Sequence, residues 1–244
     1  MKTITKGRKI LSVFFPLLAL NALGGGAALA QVPAATQNAQ AELTEAEVDV
    51  KLRRLQELCQ KNLRAEVVAE FKDEDMTAWL AAFKDKNVGT GKVKQALSLR
   101  GTSLIQKGEY ELAKKDYTYA LELSPSNGYA WSALGGIYQH EGDDDKALDA
   151  YNKAYEYDSA AHTGKSYGWM PIDATLKAVA ILTMRADYAG ALKTLERYND
   201  DDIQQMGKAW GSKMLRAYGQ VFLGTGREEE AMAKFKAALE KTSD

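Results

Sequence analysis

The chain has 244 residues, with 32 basic and 33 acidic side chains, two histidines and one cysteine. This near-balance, without clusters of Lys and Arg, excludes a surface built for nucleic acid or anionic membrane, since both need concentrated positive charge. A single cysteine excludes an internal disulfide, and two histidines without a His-x-x-x-His or Cys-x-x-Cys pattern leave no framework for a bound metal.

In chain order, Lys2, Lys6, Arg8 and Lys9 form a basic start, Ile10 to Leu20 is apolar, and Ala28-Leu29-Ala30 is an A-x-A cleavage pattern. The apolar run is short and broken by Pro16, so residues 1–30 are expected to be a bacterial secretory signal peptide rather than an anchor. Its removal leaves 28 basic and 33 acidic residues, a net charge of −5, on a chain exported to a periplasm or beyond. No membrane association is expected after cleavage. Residues 31–42 lack periodicity and read as a flexible leader.

Thr44 and Glu47 stand in capping-box spacing. A helix is expected from there to about Phe71, with Val48, Leu52, Leu55, Cys59 and Leu63 on one stripe. On that stripe Cys59 is expected to be buried; pairing between molecules is the alternative. A second helix, Met76 to Lys86, carries Trp79, Leu80 and Phe83, and Gly89-Thr90-Gly91-Lys92 reads as a linker. Its glycine spacing is wrong for a phosphate loop and no apolar strand precedes it. Residues 43–90 therefore form an N-terminal helical region, a cap or a degenerate repeat.

One pattern then occurs twice. Leu97, Gly101, Leu104, Gly108, Ala113, Tyr117, Ala120 and Pro125 are followed, 34 residues on, by Trp131, Gly135, Tyr138, Gly142, Ala147, Tyr151, Ala154 and Ser159. Only the last pair changes chemical class. A 34-residue step with small and large residues at fixed places predicts stacked helix-turn-helix units. Small residues let the paired helices approach, aromatics fill the space left, and Gly108 and Gly142 turn the chain. Ala186 to Tyr198, around Ala191, suggests the second helix of a third unit. Leu215, Tyr218, Gly219, Phe222, Gly226, Ala231, Phe235 and Ala238 make a fourth. The surplus over the step falls near residues 159–171 and 199–204.

The doubled pattern resembles the tetratricopeptide repeat (TPR) family. The resemblance implies an all-α fold, an α-solenoid of TPR helix-turn-helix repeats with an N-terminal helical cap. Its repeats are expected at 94–127, 128–161, 172–205 (divergent, after an insert at 160–171) and 212–244. In that family the first helix of each pair lines a concave surface that takes a peptide or helix. Carried over, this gives Gln95, Ser98, Thr102 and Gln106 from the first repeat and Tyr129, Ser132, Gln139 and His140 from the second. Asp173, Leu176, Thr183 and Met184 come from the third, and Lys213, Arg216 and Gln220 from the fourth, making a polar groove with a basic end. Family members that grip a terminal carboxylate use paired Lys, Asn and Arg in adjacent repeats. In the first two repeats Ser, Thr and Gly136 stand instead, so that clamp is not expected there, and Lys213 with Arg216 leave only a weak version of it. In the insert, Tyr167, Trp169 and Met170 either cover the repeat junction or form an aromatic finger at the groove edge.

No catalytic residue, metal site or cofactor is expected. His140 beside Asp143-Asp144-Asp145 invites a metal reading, but the acids sit where a helix starts and favour its dipole; Asp200-Asp201-Asp202 reads the same way. After the helix Glu228 to Lys241 nothing covers Met232, Ala233, Ala237 and Leu239, which suits contact with a second copy or a partner. The expected function is a non-enzymatic scaffold or adaptor of the bacterial cell envelope. A periplasmic chaperone, a secretion factor or an accessory subunit of an exported enzyme complex are the alternatives.

Overall fold

A computed structural model describes residues 44–83, 90–161 and 168–243. The expected signal peptide and leader, His162 and Tyr167 lie outside the described residues. Those described form twelve α-helices and no strand.

The N-terminal region opens as its capping box dictates. The Glu47 N–H donates to Thr44 Oγ1 at 3.3 Å, and the Thr44 N–H donates to the Glu47 carboxylate at 2.8 Å. The single helix expected to reach Phe71 is instead divided in two. Helix α1 (Glu45–Gln60) stops, Asn62 takes φ +58°, and α2 (Arg64–Glu70) sets off anew. Asparagine tolerates the left-handed conformation, so Leu63 leaves the apolar stripe and is exposed. Helix α3 (Asp73–Phe83) starts three residues earlier than expected, with Asp73, Glu74 and Asp75 in its first turn, the end where carboxylates are favoured. Trp79 is fully buried, edge-on to Phe71.

Four antiparallel helix pairs carry the rest: α4 (Thr90–Lys107) with α5 (Tyr110–Leu123), α6 (Gly128–Glu141) with α7 (Asp144–Ala161), α8 (Trp169–Met184) with α9 (Tyr188–Leu195), and α11 (Lys208–Gly224) with α12 (Glu228–Ser243). The short α10 (Asp200–Gln205) joins the last two pairs, capped by Asn199. Thr90, Gly91 and Lys92 belong to α4 rather than to a linker, and Lys92 ties it to α1 through Glu45 (2.7 Å) and Asp49 (2.8 Å). Helices α1, α2 and α3 all pack on α4, which places them over the first pair's open side.

Each turn inside a pair closes the same way. An N–H reaches back to a carbonyl five residues earlier: Glu109 to Leu104, Asp143 to Tyr138, Asp187 to Leu182 and Arg227 to Phe222, all at 2.9 Å. The residue before each donor has positive φ, and it is glycine at 108, 142 and 226 but Ala186 in the third pair. Between the helices, a Cβ on Gly135 would lie 2.6 Å from the Tyr151 ring, and one on Gly219 2.6 Å from Phe235. In the third pair the corresponding places hold Val179 and Leu195, both buried in one core cluster. A larger residue facing a smaller one conserves the volume.

Candidate partner-binding groove

Stacking places the first helices α4, α6 and α8 side by side, and their outward side chains form one face. Two hollows lie on it. The larger, about 490 Å³, has Thr102, Ile105 and Gln106 from α4, Tyr129, Ser132, Gly136, Ile137 and His140 from α6, and Trp169, Asp173 and Lys177 from α8. Ala133 of α6 and Tyr110 and Tyr117 of α5 complete its lining. The smaller, about 350 Å³, lies between the first parts of α4 and α6, lined by Gln95, Ser98, Thr102, Asn127 and Tyr129 among others.

Thr102 and Tyr129 border both hollows. The Thr102 hydroxyl donates to the Ser98 carbonyl at 2.8 Å, which leaves its lone pairs for the hydroxyls of Tyr129 (2.8 Å) and Tyr117 (3.0 Å). This network fixes the Tyr129 ring as a partition. Burial holds the Tyr117 hydroxyl far above its usual pKa, so it serves as a neutral hydrogen-bonding group. At the other end of the larger hollow the His140 ring stacks on Tyr110, with centroids 3.7 Å apart. Trp169 opens α8 and is 52% exposed at the rim. Asp173 and Lys177 pair with each other at 2.8 Å.

The structure thus gathers Gln95, Ser98, Thr102 and Tyr129 at the smaller hollow, and Thr102, Gln106, Tyr129, Ser132, His140, Trp169 and Asp173 at the larger. Ser98 and Thr102 spend their hydroxyl protons on the carbonyls of Lys94 and Ser98, and Ser132 is buried. Gln139 lines neither hollow; its side-chain Oε1 accepts from Tyr151 Oη at 3.1 Å. Nor do the residues of the fourth pair. Lys213 lies over the Trp210 ring, 4.2 Å from its centroid, and Gln220 is exposed. Arg216 borders a separate hollow of about 310 Å³ between α11 and α12, with Phe235, Leu239 and Thr242. The basic end expected of the groove therefore belongs to the array's last face.

Tyr110, Ile105, Ile137 and Lys177 join the lining without having been expected from the sequence. Gly136 acquires a role through its surroundings: a Cβ there would meet only Tyr151 Oη, at 3.8 Å. No repeat position signalled these residues, because the hollow is assembled from four helices.

Among the described residues no three His, Cys, Asp or Glu side chains gather as a metal-holding group. Asp143 caps α7, accepting from the Lys146 N–H at 3.2 Å and pairing with its ammonium, which holds the carboxyl below the usual range. Cys59 is half-buried, with Sγ 3.8 Å from the Ser103 hydroxyl. No described helix is long and apolar enough to cross a membrane.

Residues 98–162 match the family model of the tetratricopeptide repeat. A comparison with curated protein sequences finds no match. Among solved structures, a crystal structure of the MamA protein aligns with a TM-score of 0.54 at 18% identity, covering 80% of this chain and 92% of that one. BtubC from P. vanneervenii aligns with a TM-score of 0.53 at 16% identity, covering 81% and 89%. At such identities the likeness concerns the fold. Residues 98–162, from α4 to α7, carry the tetratricopeptide repeat pattern, and the described residues share the all-α solenoid fold of those structures.

Proposed function

We propose that this chain is a non-enzymatic scaffold or adaptor that binds a peptide or helix of a protein partner on the face of α4, α6 and α8. The observation that carries this reading is the pair of joined hollows, divided by the fixed Tyr129 ring. Aromatic side chains held in place lose little entropy on binding and supply large contact area. Export to a bacterial cell envelope is part of the proposal and rests on the sequence of residues 1–30.

Crosslinking and pull-down from the periplasmic fraction, comparing the wild type with Tyr129→Ala and Trp169→Ala, tests the groove. Recovery of one or two defined proteins by the wild type alone supports it. Equal recovery by all three overturns it. Suppression of aggregation of unrelated unfolded proteins would favour a chaperone, and absence of the chain from the periplasmic fraction would remove the envelope role.

A second contact surface rests on its own observation. Met232 and Leu239 on α12 are 69% and 68% exposed, and Leu239 lines the hollow that Arg216 borders. This face supports self-association, for which another copy is the simplest cover.

A further inference from the structure

Two adjacent glycines in α6 have different reasons to be glycine. Gly135 faces α7, where a Cβ would run into the Tyr151 ring at 2.6 Å, so helix packing requires it. Gly136 faces the larger hollow, and a Cβ there would meet only Tyr151 Oη at an ordinary 3.8 Å. Packing does not require Gly136, and glycine inside a helix lowers stability relative to alanine. What the missing side chain provides is space: any larger residue at 136 would project into the hollow.

The walls of that space specify its occupant. Ile105 and Ile137 supply an apolar floor and Trp169 a half-exposed aromatic rim. The Asp and Lys residues that line it among the described residues, Asp173 and Lys177, are paired with each other at 2.8 Å. A charged group entering would lose its water and find Asp173 and Lys177 already engaged, while the imidazole at the end of the hollow, His140, is stacked on Tyr110. A chain terminus is therefore disfavoured and an uncharged side chain is favoured.

We propose that the hollow opened by Gly136 is a socket for one large apolar or aromatic side chain from an internal segment of the partner, with the segment's backbone passing between Tyr129 and Trp169. This rests on the groove reading above. It adds that recognition is by an apolar anchor and not by a terminal carboxylate.

The test uses an array of random dodecapeptides with acetylated and amidated ends, probed with the whole chain. Peptides that bind are expected to share one large apolar residue. Its replacement by alanine should weaken binding at least about tenfold, as hot-spot anchors do. Gly136→Leu should weaken the same peptides at least about tenfold without lowering the melting temperature, because leucine is the better helix former. Restoring a free C-terminal carboxylate should bring no gain. Unchanged binding by Gly136→Leu together with loss in Tyr129→Ala would overturn the socket and leave the groove standing. Gln95→Arg, at an exposed position of the smaller hollow, serves the same purpose if Tyr129→Ala melts early. Unchanged binding by all three variants, or an array on which nothing binds, overturns both readings.

Discussion

Arg100 on α4 and Asp116 on α5 form an ion pair inside the first repeat, with Arg100 Nε 2.8 Å from Asp116 Oδ2 and a second contact through Nη2. Both residues are buried. The same guanidinium donates to the Phe71 carbonyl at 3.1 Å and to Asp73 at 3.2 Å. One side chain thereby satisfies the end of α2 and the start of α3 while bridging the helices of the repeat. The N-terminal helices are fastened to the array by a polar knot as well as by the apolar core that they share with α4.

Removing one partner of such a pair costs more than the pair is worth, because it strands the other in a dry site. Arg100→Leu should lower stability by about 3–5 kcal/mol near pH 8. Burial already pushes the Asp116 carboxyl up to about 6 against the pull of Arg100, and without the arginine it rises further. A group whose pKa is raised in the folded state contributes stability that is present below its unfolded value and lost as pH rises through the folded value. The variant should therefore recover part of its loss as pH falls from 8 to 5, read as melting temperature. Asp116→Asn, which leaves Arg100 its contacts to Asp73 and Phe71, should cost less than Arg100→Leu at pH 8. A variant Arg100→Leu that melts at the same temperature across this range would contradict the burial of an ionisable Asp116.

Ala186 adopts φ +58° in the turn where the other three repeats use glycine, and its side chain is exposed. An L-residue in that conformation carries about 1–2 kcal/mol of strain, part of which glycine gives back through its freer unfolded state. Ala186→Gly should stabilise the chain by about 0.5–1 kcal/mol, measurable as a higher urea midpoint with an unchanged slope.

The same turn shows what the sequence made visible and what it hid. Repeats with glycine facing an aromatic, as Gly101 faces Tyr117 and Gly219 faces Phe235, announce themselves because both residue types are unusual in a helix at that spacing. The third repeat solves the same packing problem with Val179 and Leu195 and turns on alanine, so its first helix carries no such mark. The break at Asn62 was hidden for another reason: Leu55, Cys59 and Leu63 continue the helical spacing through a residue that leaves the helix. Of the groove, Thr102, Tyr129 and His140 are residues that the family resemblance implies, on the first helices of two repeats. Tyr110 enters from the second helix, and the use of Gly136 emerges only when α8 closes the hollow.

The adjacent glycines of α6 give a paired prediction on stability. Gly135→Ala places a methyl carbon 2.6 Å from the Tyr151 ring, and accommodating it should cost about 1–3 kcal/mol. Gly136→Ala meets no such obstacle and should gain about 0.5–1 kcal/mol from helix propensity. Opposite shifts in melting temperature from the same substitution one residue apart would separate packing from openness. Equal shifts would mean that both glycines answer to one constraint.

Self-association through α12 makes a prediction independent of the groove. Met232 and Leu239 are exposed, and Leu239 lines a hollow with Phe235, Ala238 and Thr242 of α12 on one side and Ser212 and Arg216 of α11 on the other. Elsewhere in the array the first helix of a following repeat packs against such a surface, as Tyr129 of α6 does on Tyr117 of α5. Met232→Lys with Leu239→Lys replaces two side chains that are 69% and 68% exposed, so stability should change by less than about 0.5 kcal/mol at each site. If copies of the chain cover one another here, sedimentation should show the wild type shifting to a larger species with concentration and the double variant remaining monomeric. A wild type that stays monomeric at every concentration tested would leave this face to a partner of another kind.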